Sequence, residues 1–302
     1  MLEDSACPIP AHAGGVRRAR LGYLFISPWL IGFAVFTALP FLASVALSFT
    51  HYTVASPPAW VGLANYQTLL FDDPSFWTAL INTLVYALVA VPLGVAAAFV
   101  LALLLNLELR GMAVYRTIFF LPHIVPVVAS SVVFMWVLNP QIGLANGLLR
   151  LIGIEGPAWL QDPAWSMTTL ILLSLWGVGG SVVIYLAGLK DVPLSLYEAA
   201  RIDGANVFQR AIHITLPMMT PVIFFNLVMG IIHAFQYFTQ AYILTGGGPQ
   251  ESTLFLALYL FFRAWRYLDL GYASALAWIM FVLVASITYG VFRSQKRWVH
   301  YE

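Results

Sequence analysis

Charged residues and cysteine are both scarce in this sequence. Only 9% of the 302 residues are charged, with 14 Lys+Arg and 13 Asp+Glu, whereas a soluble domain carries about 25%. This shortage excludes a water-soluble globular protein. The net charge of +1 excludes a strongly basic surface for nucleic acid. The lone Cys7 excludes an intrachain disulfide and a cysteine-built metal site.

Long apolar runs are what the sequence has instead of charge. Hydrophobic residues make up 61% of the chain, and the mean hydropathy is +0.85. A helix needs roughly 20 apolar residues to cross a bilayer core about 30 Å thick, and only helices and closed barrels satisfy their backbone hydrogen bonds there. Six runs free of Asp, Glu, Lys and Arg meet this length: 21–49, 80–105, 117–138, 167–189, 215–235 and 272–292. The sequence therefore predicts an all-α, polytopic membrane protein with six transmembrane helices.

Basic residues indicate the orientation of the predicted spans. Cytoplasmic loops carry an excess of Lys and Arg, and with the N-terminus inside, eleven of the 14 basic residues fall on the cytoplasmic side. We expect both termini in the cytoplasm and one membrane domain over residues 1–302, with a tail 1–20, a core 21–292 and a tail 293–302. The first run is too long for the apolar region of a signal peptide, about 7 to 15 residues, and should remain as an anchor.

A seventh apolar run, residues 254–262, is about half the length of a span. If it crossed the membrane, the basic C-terminal tail would lie outside, against the charge rule. We therefore expect an interfacial or re-entrant helix there.

The most polar part of the core lies between the fourth and fifth predicted spans, in residues 190–213. Asp191 as N-cap and Pro193 in the first turn predict a short helix over Leu194–Ile202, and Gly204 permits a left-handed stop. Small alanines beside a carboxylate would let this helix enter a cleft of another protein. A solvated inner loop with one helical turn explains the same residues, and local patterns leave both interpretations open.

Three linked elements in this region resemble a known family. Glu198-Ala199-Ala200, Asp203-Gly204-Ala205 and Leu216-Pro217 follow the fourth of six predicted spans, and together they resemble the EAA motif of binding-protein-dependent ABC importer permeases. Further strings resemble the same family between residues 20 and 295: 120–122, 138–140, 185–189, 244–249 and 270–277. The glycine-rich string 244–249 resembles the carbohydrate-importing subgroup, in particular its maltose-type first permease subunit.

The resemblance implies a transport subunit rather than an enzyme. It implies a multi-pass protein of a prokaryotic plasma (inner) membrane, which forms a path with a second six-span permease. An extracytoplasmic sugar-binding protein would deliver the carbohydrate, docking in part on residues 244–251, and a cytoplasmic ABC ATPase dimer would drive transport. That dimer would use ATP and magnesium, so this chain would bind no cofactor; the Gly-rich residues 246–249 lack the lysine of a P-loop. The implied ATPase-coupling residues are Tyr197, Glu198, Ala199, Ala200, Arg201, Asp203 and Gly204.

A sugar path through the bilayer requires polar and aromatic side chains that face the interior of the bundle. Helical spacing of three or four residues in the fifth span places four such side chains on one side, with Asn226 on the same stripe. A kink or break at Pro122 and Pro126 could open backbone groups near His123. The expected path residues are His123, Trp176, Gly177, Gly180, His233, Gln236, Tyr237 and Gln240. Hydrogen bonding between neighbouring helices and close packing at the glycines would explain the same residues without a ligand.

The absence of charge inside the predicted spans bears on the substrate. A phosphorylated substrate would call for Arg or Lys, so a neutral mono- or oligosaccharide fits best. A glycerol-3-phosphate or polyol importer of the same class stays open, because the partner permease could supply the charge. An ATPase-independent carrier would be supported by an inverted repeat, which the sequence does not show. An intramembrane enzyme would need a nucleophile motif, and Ser130, Ser131 and Ser181 with His233 form none.

Overall fold

The computed structural model describes residues 15–107 and 109–300, with side chains from residue 22 onward. Cys7 and most of the predicted tail 1–20 lie outside these residues.

The described chain is mostly α-helical, with one antiparallel hairpin of β1 (Thr50–Thr53) and β2 (Ser56–Trp60). The α-helices, in chain order, are α1 (Gly15–Phe33), α2 (Leu39–Ser48), α3 (Ala64–Gln67), α4 (Pro74–Leu105), α5 (Met112–Ile124), α6 (Val127–Val137), α7 (Leu144–Leu151), α8 (Pro163–Trp176), α9 (Gly179–Asp191), α10 (Leu194–Ile202), α11 (Val207–Arg210), α12 (Leu216–Met218), α13 (Thr220–Phe235), α14 (Thr239–Leu244), α15 (Leu256–Phe261) and α16 (Leu270–Ser294). Tighter or wider helical turns join some of them, with π geometry at Ala34–Ala38, Thr68–Asp72, Ala211–Thr215 and Phe262–Arg266 and 3-10 geometry at Gln295–Arg297.

The described residues contain four to six candidate membrane spans. Four segments without a sharp bend are long and apolar enough: Gly22–Ser48, Pro74–Leu105, Thr220–Leu244 and Leu270–Arg297. Two bent pairs, α5 with α6 and α8 with α9, would each add one more if the pair crosses as a unit. Each of the six predicted apolar runs overlaps one of these segments or pairs.

The pair α5 and α6 breaks at prolines. The two helices meet at 96°, with Pro122 inside α5 and Pro126 immediately before α6. Proline donates no main-chain hydrogen bond and disfavours the helical conformation of the residue before it, and Val125 accordingly has a ψ of 129°. The break expected at these two prolines is therefore present. A second break, at Gly177 and Val178, bends α8 against α9 by 46° and was not predicted.

Helix α4 is the centre of the bundle and passes two buried clusters. Near its start, Phe76 and Leu80 belong to a cluster with residues of α8, α13 and α15. Near its end, Ala98 and Ala102 belong to a second cluster with residues of α9 and Met219. We call the first region the hairpin end, because β1 also packs against the start of α16 there. The second region, next to Tyr197, is called the α10 end.

The short apolar run 254–262 is buried inside the bundle. Phe255, Leu256 and Leu258 have no exposed surface, and α15 packs against both α4 and α16. An interfacial helix would leave one face uncovered by protein. In this segment the buried residues pack against the bundle, whereas Ala257, Leu260, Phe261 and Phe262 are half-buried.

Helix α10 begins and ends at Leu194 and Ile202, the bounds that the sequence predicts. Its predicted N-cap is wrong, because Asp191 is the last residue of α9 and Pro193 is the N-cap of α10. Val192, between them, is extended with a ψ of 121°, as expected for a residue that precedes proline. The chain therefore turns two residues later than the N-cap prediction placed it.

Candidate functional site

An open cavity of about 380 Å³ lies between the two buried clusters. Its walls come from the middle of α4, the breaks of the pairs α5–α6 and α8–α9, and the last turns of α13 with the segment that follows. Its described lining contains no Asp, Glu, Lys or Arg. Nor do three His, Cys, Asp or Glu side chains lie together as metal ligands anywhere in the described ranges. Hydroxyl, amide, imidazole and aromatic groups are therefore what this cavity offers to a ligand.

Most of the path residues predicted from the sequence meet in this cavity. The lining includes His123, Trp176, Gly177, His233, Tyr237 and Gln240. These residues come from three separate parts of the chain: α5, the end of α8, and the segment from α13 to α14. The breaks between the helices bring them to the same cavity. Asn226 also lines the cavity, although its Nδ2 already donates to the main-chain oxygen of Val222 at 2.9 Å.

Gly180 is absent from this lining. A Cβ atom built on Gly180 would lie only 2.7 Å from His123 Cε1, closer than real side chains approach. Gly180 therefore packs against the imidazole ring and leaves room for His123 to reach the cavity. In the structure this predicted path residue contacts His123 and does not itself line the cavity.

Gln236 is also absent from the lining, and its side chain is exposed. Helix α13 ends at Phe235, and Gln236 is its C-cap. Gln240 belongs to the next helix, α14. The predicted stripe from His233 to Gln240 on one continuous helix is therefore wrong, because the helix stops between these residues.

Tyr86 and Ser174 line the cavity although sequence analysis did not place them in the path. The ring of Tyr86 stacks on that of Tyr237, with centroids 4.4 Å apart and planes at 28°. Tyr237 Oη is buried and has no hydrogen-bond partner of normal geometry in the described part of the chain. The signal in the sequence was that Tyr86 is the only tyrosine in the apolar run 80–105.

At the α10 end, Gly204 closes the predicted coupling helix with a left-handed turn. Its φ is +79°. The N–H of Gly204 donates to the oxygen of Arg201 at 3.1 Å, and the N–H of Ala205 donates to that of Ala200 at 2.9 Å. These two bonds form a Schellman motif, whose positive φ suits glycine. The motif sets the direction in which the chain leaves α10.

Tyr197 differs from the other predicted coupling residues because it faces the protein. It packs against the buried cluster at the α10 end, and its Oη lies 2.9 Å from Thr215 Oγ1. Ala200 is half-buried, and the exposed predicted residues are Glu198, Ala199, Arg201, Asp203 and Gly204. Large apolar side chains are exposed beside them, with Ile202 87% and Phe208 73% accessible. Helix α10 thus presents a mixed apolar and charged surface and is attached to the bundle through Tyr197.

At the hairpin end, Asp73 is the centre of a polar cluster that sequence analysis missed. Its carboxylate caps α4 by accepting from two main-chain N–H groups, and it accepts hydrogen bonds from the hydroxyls of Tyr259 and Tyr272. Arg263 Nη2 lies 3.2 Å from Asp73 Oδ2. Burial alone would raise the pKa of Asp73, but these hydrogen bonds and the charge of Arg263 bring it below its ordinary value. No local pattern relates residues so far apart in the chain.

Comparisons with known proteins point in one direction. The family model described as "Binding-protein-dependent transport system inner membrane component" matches residues 75–300. The probable ABC transporter permease protein YesP of Bacillus subtilis (strain 168) is 47% identical over 285 residues, 93% of this chain and 92% of the relative. The trehalose/maltose transport system permease protein MalF of Thermococcus litoralis is 36% identical over 275 residues, 90% of this chain and 92% of the relative. A chain in the crystal structure of a bacterial alginate ABC transporter, in complex with an alginate pentasaccharide-bound periplasmic protein, matches with a TM-score of 0.84 and 25% identity, covering 94% of this chain and 96% of that one.

Proposed function

The chain belongs to the family of binding-protein-dependent transport system inner membrane components, and from this premise we propose that it is a permease subunit that imports a carbohydrate. Six spans, two of them bent pairs, cross the bilayer in this proposal. Both termini and α10 face the cytoplasm, and the hairpin end faces outward. The distribution of Lys and Arg supports this orientation. A second six-span permease completes the translocation path, and a separate ATPase hydrolyses ATP.

The observation that carries the carbohydrate proposal is the uncharged, aromatic and polar cavity inside an otherwise apolar bundle. A sugar presents C–H faces that pack on aromatic rings and hydroxyls that need both donors and acceptors. The Tyr86–Tyr237 pair and Trp176 supply the rings, and the two histidines, Gln240 and the serines supply polar partners.

The chemistry of the cavity favours a neutral saccharide. A phosphorylated ligand would bring a charge for which this lining offers neither Arg nor Lys. The names of the two comparison proteins with stated substrates refer to trehalose or maltose and to alginate, which supports a saccharide for this chain as well.

We also propose that α10 is the helix through which the ATPase drives transport. Its exposed surface combines Ile202 and Phe208 with charged groups of the EAA motif, as a docking surface for a protein partner requires. The Schellman motif at Gly204 would keep that surface in a fixed direction. ATP and magnesium would be bound by the ATPase dimer, since the sequence has no P-loop.

Purification and reconstitution test the proposal. A tagged chain from its native membrane should copurify with a second six-span protein and a soluble ATPase. In proteoliposomes, that complex should hydrolyse ATP faster when a sugar-binding protein loaded with its sugar is added. Sugar flux through the isolated chain without ATP would contradict the proposal and favour a carrier.

Cysteine labelling tests the orientation. Glu198→Cys in a Cys7→Ser background places one thiol on α10. A membrane-impermeant maleimide should react with it in inside-out vesicles and not in intact cells. Labelling in intact cells would overturn the orientation and, with it, the proposed role of α10.

A further inference from the structure

Residues 245–255 connect the surface at the hairpin end with the wall of the cavity. Gln250 and Glu251 are exposed, whereas Thr253, Leu254 and Phe255 are buried. The exposed pair has positive φ values of 50° and 59°, which residues other than glycine adopt only rarely. Contacts with the rest of the bundle therefore hold this part of the chain in its conformation.

Asn82 of α4 provides the most direct of these contacts. Its Nδ2 donates to the main-chain oxygens of Glu251 at 2.7 Å and Leu254 at 3.1 Å, so both protons of its amide are used. The next residue of α4, Thr83, accepts a hydrogen bond from the main-chain N–H of Leu256 at 2.9 Å. The segment is thus fixed to α4 on both sides of Phe255.

Phe255 links this attachment to the cavity. Its ring has no exposed surface, and it meets the edges of Tyr86 and Tyr237 with centroid distances of 5.2 Å in both cases. Those two tyrosines stack on each other and line the cavity. Asn82 and Tyr86 are four residues apart and share one face of α4. One hydrogen-bonded side chain, Asn82, and one ring, Phe255, therefore connect the exposed pair Gln250 and Glu251 with the cavity wall.

We propose that residues 250–255 transmit the docking of a protein at the hairpin end to the Tyr86–Tyr237 pair, with Asn82 as the positioning residue. This inference rests on the proposed function, since it requires a sugar-loaded binding protein at that surface. A protein that moves Glu251 also moves the carbonyls that Asn82 holds. Phe255 follows, and the stacked tyrosines lose their edge-on support. The docking signal then arrives at the cavity independently of α10.

The test compares two asparagines with the same chemistry. Asn82→Asp keeps the shape of the side chain and replaces two donors by a carboxylate that faces two carbonyls. In the reconstituted complex, we expect the ratio of binding-protein-stimulated to basal ATP hydrolysis to fall by roughly fivefold or more, the lower range of coupling between sites. The binding-protein concentration for half-maximal stimulation should stay close to that of the wild type, because the docking surface is intact.

Asn65→Asp is the matched control. Asn65 is buried, whereas Asn82 is half-buried. The Nδ2 of Asn65 likewise donates to two main-chain oxygens, those of Ser48 and Thr50, each at 2.9 Å, but Asn65 does not line the cavity. Its stimulation ratio should equal that of the wild type. If Asn82→Asp fails to assemble, Phe255→Leu provides the test, because it keeps an apolar side chain and removes the ring contacts. Its ratio of stimulated to basal ATP hydrolysis should also fall by roughly fivefold or more.

Three outcomes overturn the inference. Wild-type stimulation in an assembled Asn82→Asp complex would do so, as would an equal fall in Asn65→Asp, and so would an unchanged ratio in Phe255→Leu. A wild-type complex whose ATP hydrolysis ignores the loaded binding protein would instead overturn the proposed function and remove the basis of the inference.

Discussion

Arg263 and Asp73 form an ion pair between residues 190 positions apart, with Nη2 of the arginine 3.2 Å from Oδ2 of the carboxylate. Tyr259 and Tyr272 donate to the same carboxylate oxygen. The guanidinium carbon of Arg263 also lies 5.2 Å and 4.6 Å from the centroids of these two rings, close enough for cation–π attraction. The start of α4, the region of α15 and the start of α16 are therefore joined at one carboxylate.

Asp73→Asn should destabilise the folded chain. Asparagine can still cap α4, so the loss comes mainly from the missing charge beside Arg263 and the two hydroxyls. We expect a decrease of about 1–3 kcal/mol in the free energy of unfolding. The value should lie near the lower end of this range, because the Arg263 side chain is 30% exposed and solvent screens its charge. Thermal unfolding in detergent measures it. Asp72→Asn, at an exposed neighbour, should change stability by less than about 0.5 kcal/mol.

The stabilisation by Asp73 should depend on pH in one direction. Its pKa is lower in the folded chain than the ordinary value of 3.8, so the folded state favours the ionised carboxylate. The stabilisation is complete above the ordinary value and is lost as the pH falls through the folded value. The stability difference between the wild type and Asp73→Asn should therefore be constant from neutral pH to about 5 and shrink below about 4. A difference that grew on acidification would contradict this assignment.

Gly204→Val should uncouple transport from ATP hydrolysis. A β-branched residue at φ +79° is strained by about 1–3 kcal/mol and would relax by turning the chain after α10. Gly153→Val is a matched control, because Gly153 has φ +75° and neither glycine has a heavy atom within 4 Å of the position that a Cβ would take. Both variants should insert into the membrane, and only Gly204→Val should lose sugar-stimulated ATP hydrolysis. Equal activity of the two variants would remove Gly204 from the coupling role.

Tyr237→Phe should weaken sugar binding without disturbing the fold. The variant keeps the ring that stacks on Tyr86 and lines the cavity, so the fold should persist, whereas any hydrogen bond from this hydroxyl to a bound sugar is lost. The half-saturating sugar concentration should rise roughly two- to tenfold, corresponding to about 0.5–1.5 kcal/mol. Tyr185→Phe removes a buried hydroxyl that has no partner among the described residues and lies outside the cavity lining, and it should leave uptake unchanged. Identical uptake by both variants would exclude Tyr237 from the sugar site.

Local signals explain what could be predicted from the sequence. Pro193 and Gly204 bracket α10, so its bounds follow from neighbouring residues alone. Pro122 and Pro126 likewise predict the break near His123, because proline acts on the residue beside it. The six apolar runs depend only on length and composition. These features involve few or no contacts between distant parts of the chain.

Features that depend on long-range packing could not be predicted. The end of α13 at Phe235 has no proline or glycine to mark it, so the helical stripe was continued one turn too far. Gly180 was predicted as a path residue together with Trp176 and Gly177, its neighbours in the sequence. Its contact with His123 depends on how α5 crosses α9, which no local pattern shows. The partnership of Asp73 with Arg263 requires α4, α15 and α16 to be assembled first. In each case the decisive neighbour is far away in the sequence.

The bond from Tyr197 to Thr215 has a mechanical consequence. Thr215 is the last residue of the π-helical turn Ala211–Thr215, which leads through α12 into α13, and the far end of α13 carries His233. In the proposed transport cycle, a displacement of α10 by the ATPase would therefore act on the start of the helical segment whose far end lines the cavity. The π-helical turn Ala211–Thr215 lies at the start of this helical segment, so a change of its geometry would alter the direction in which α13 runs toward the cavity.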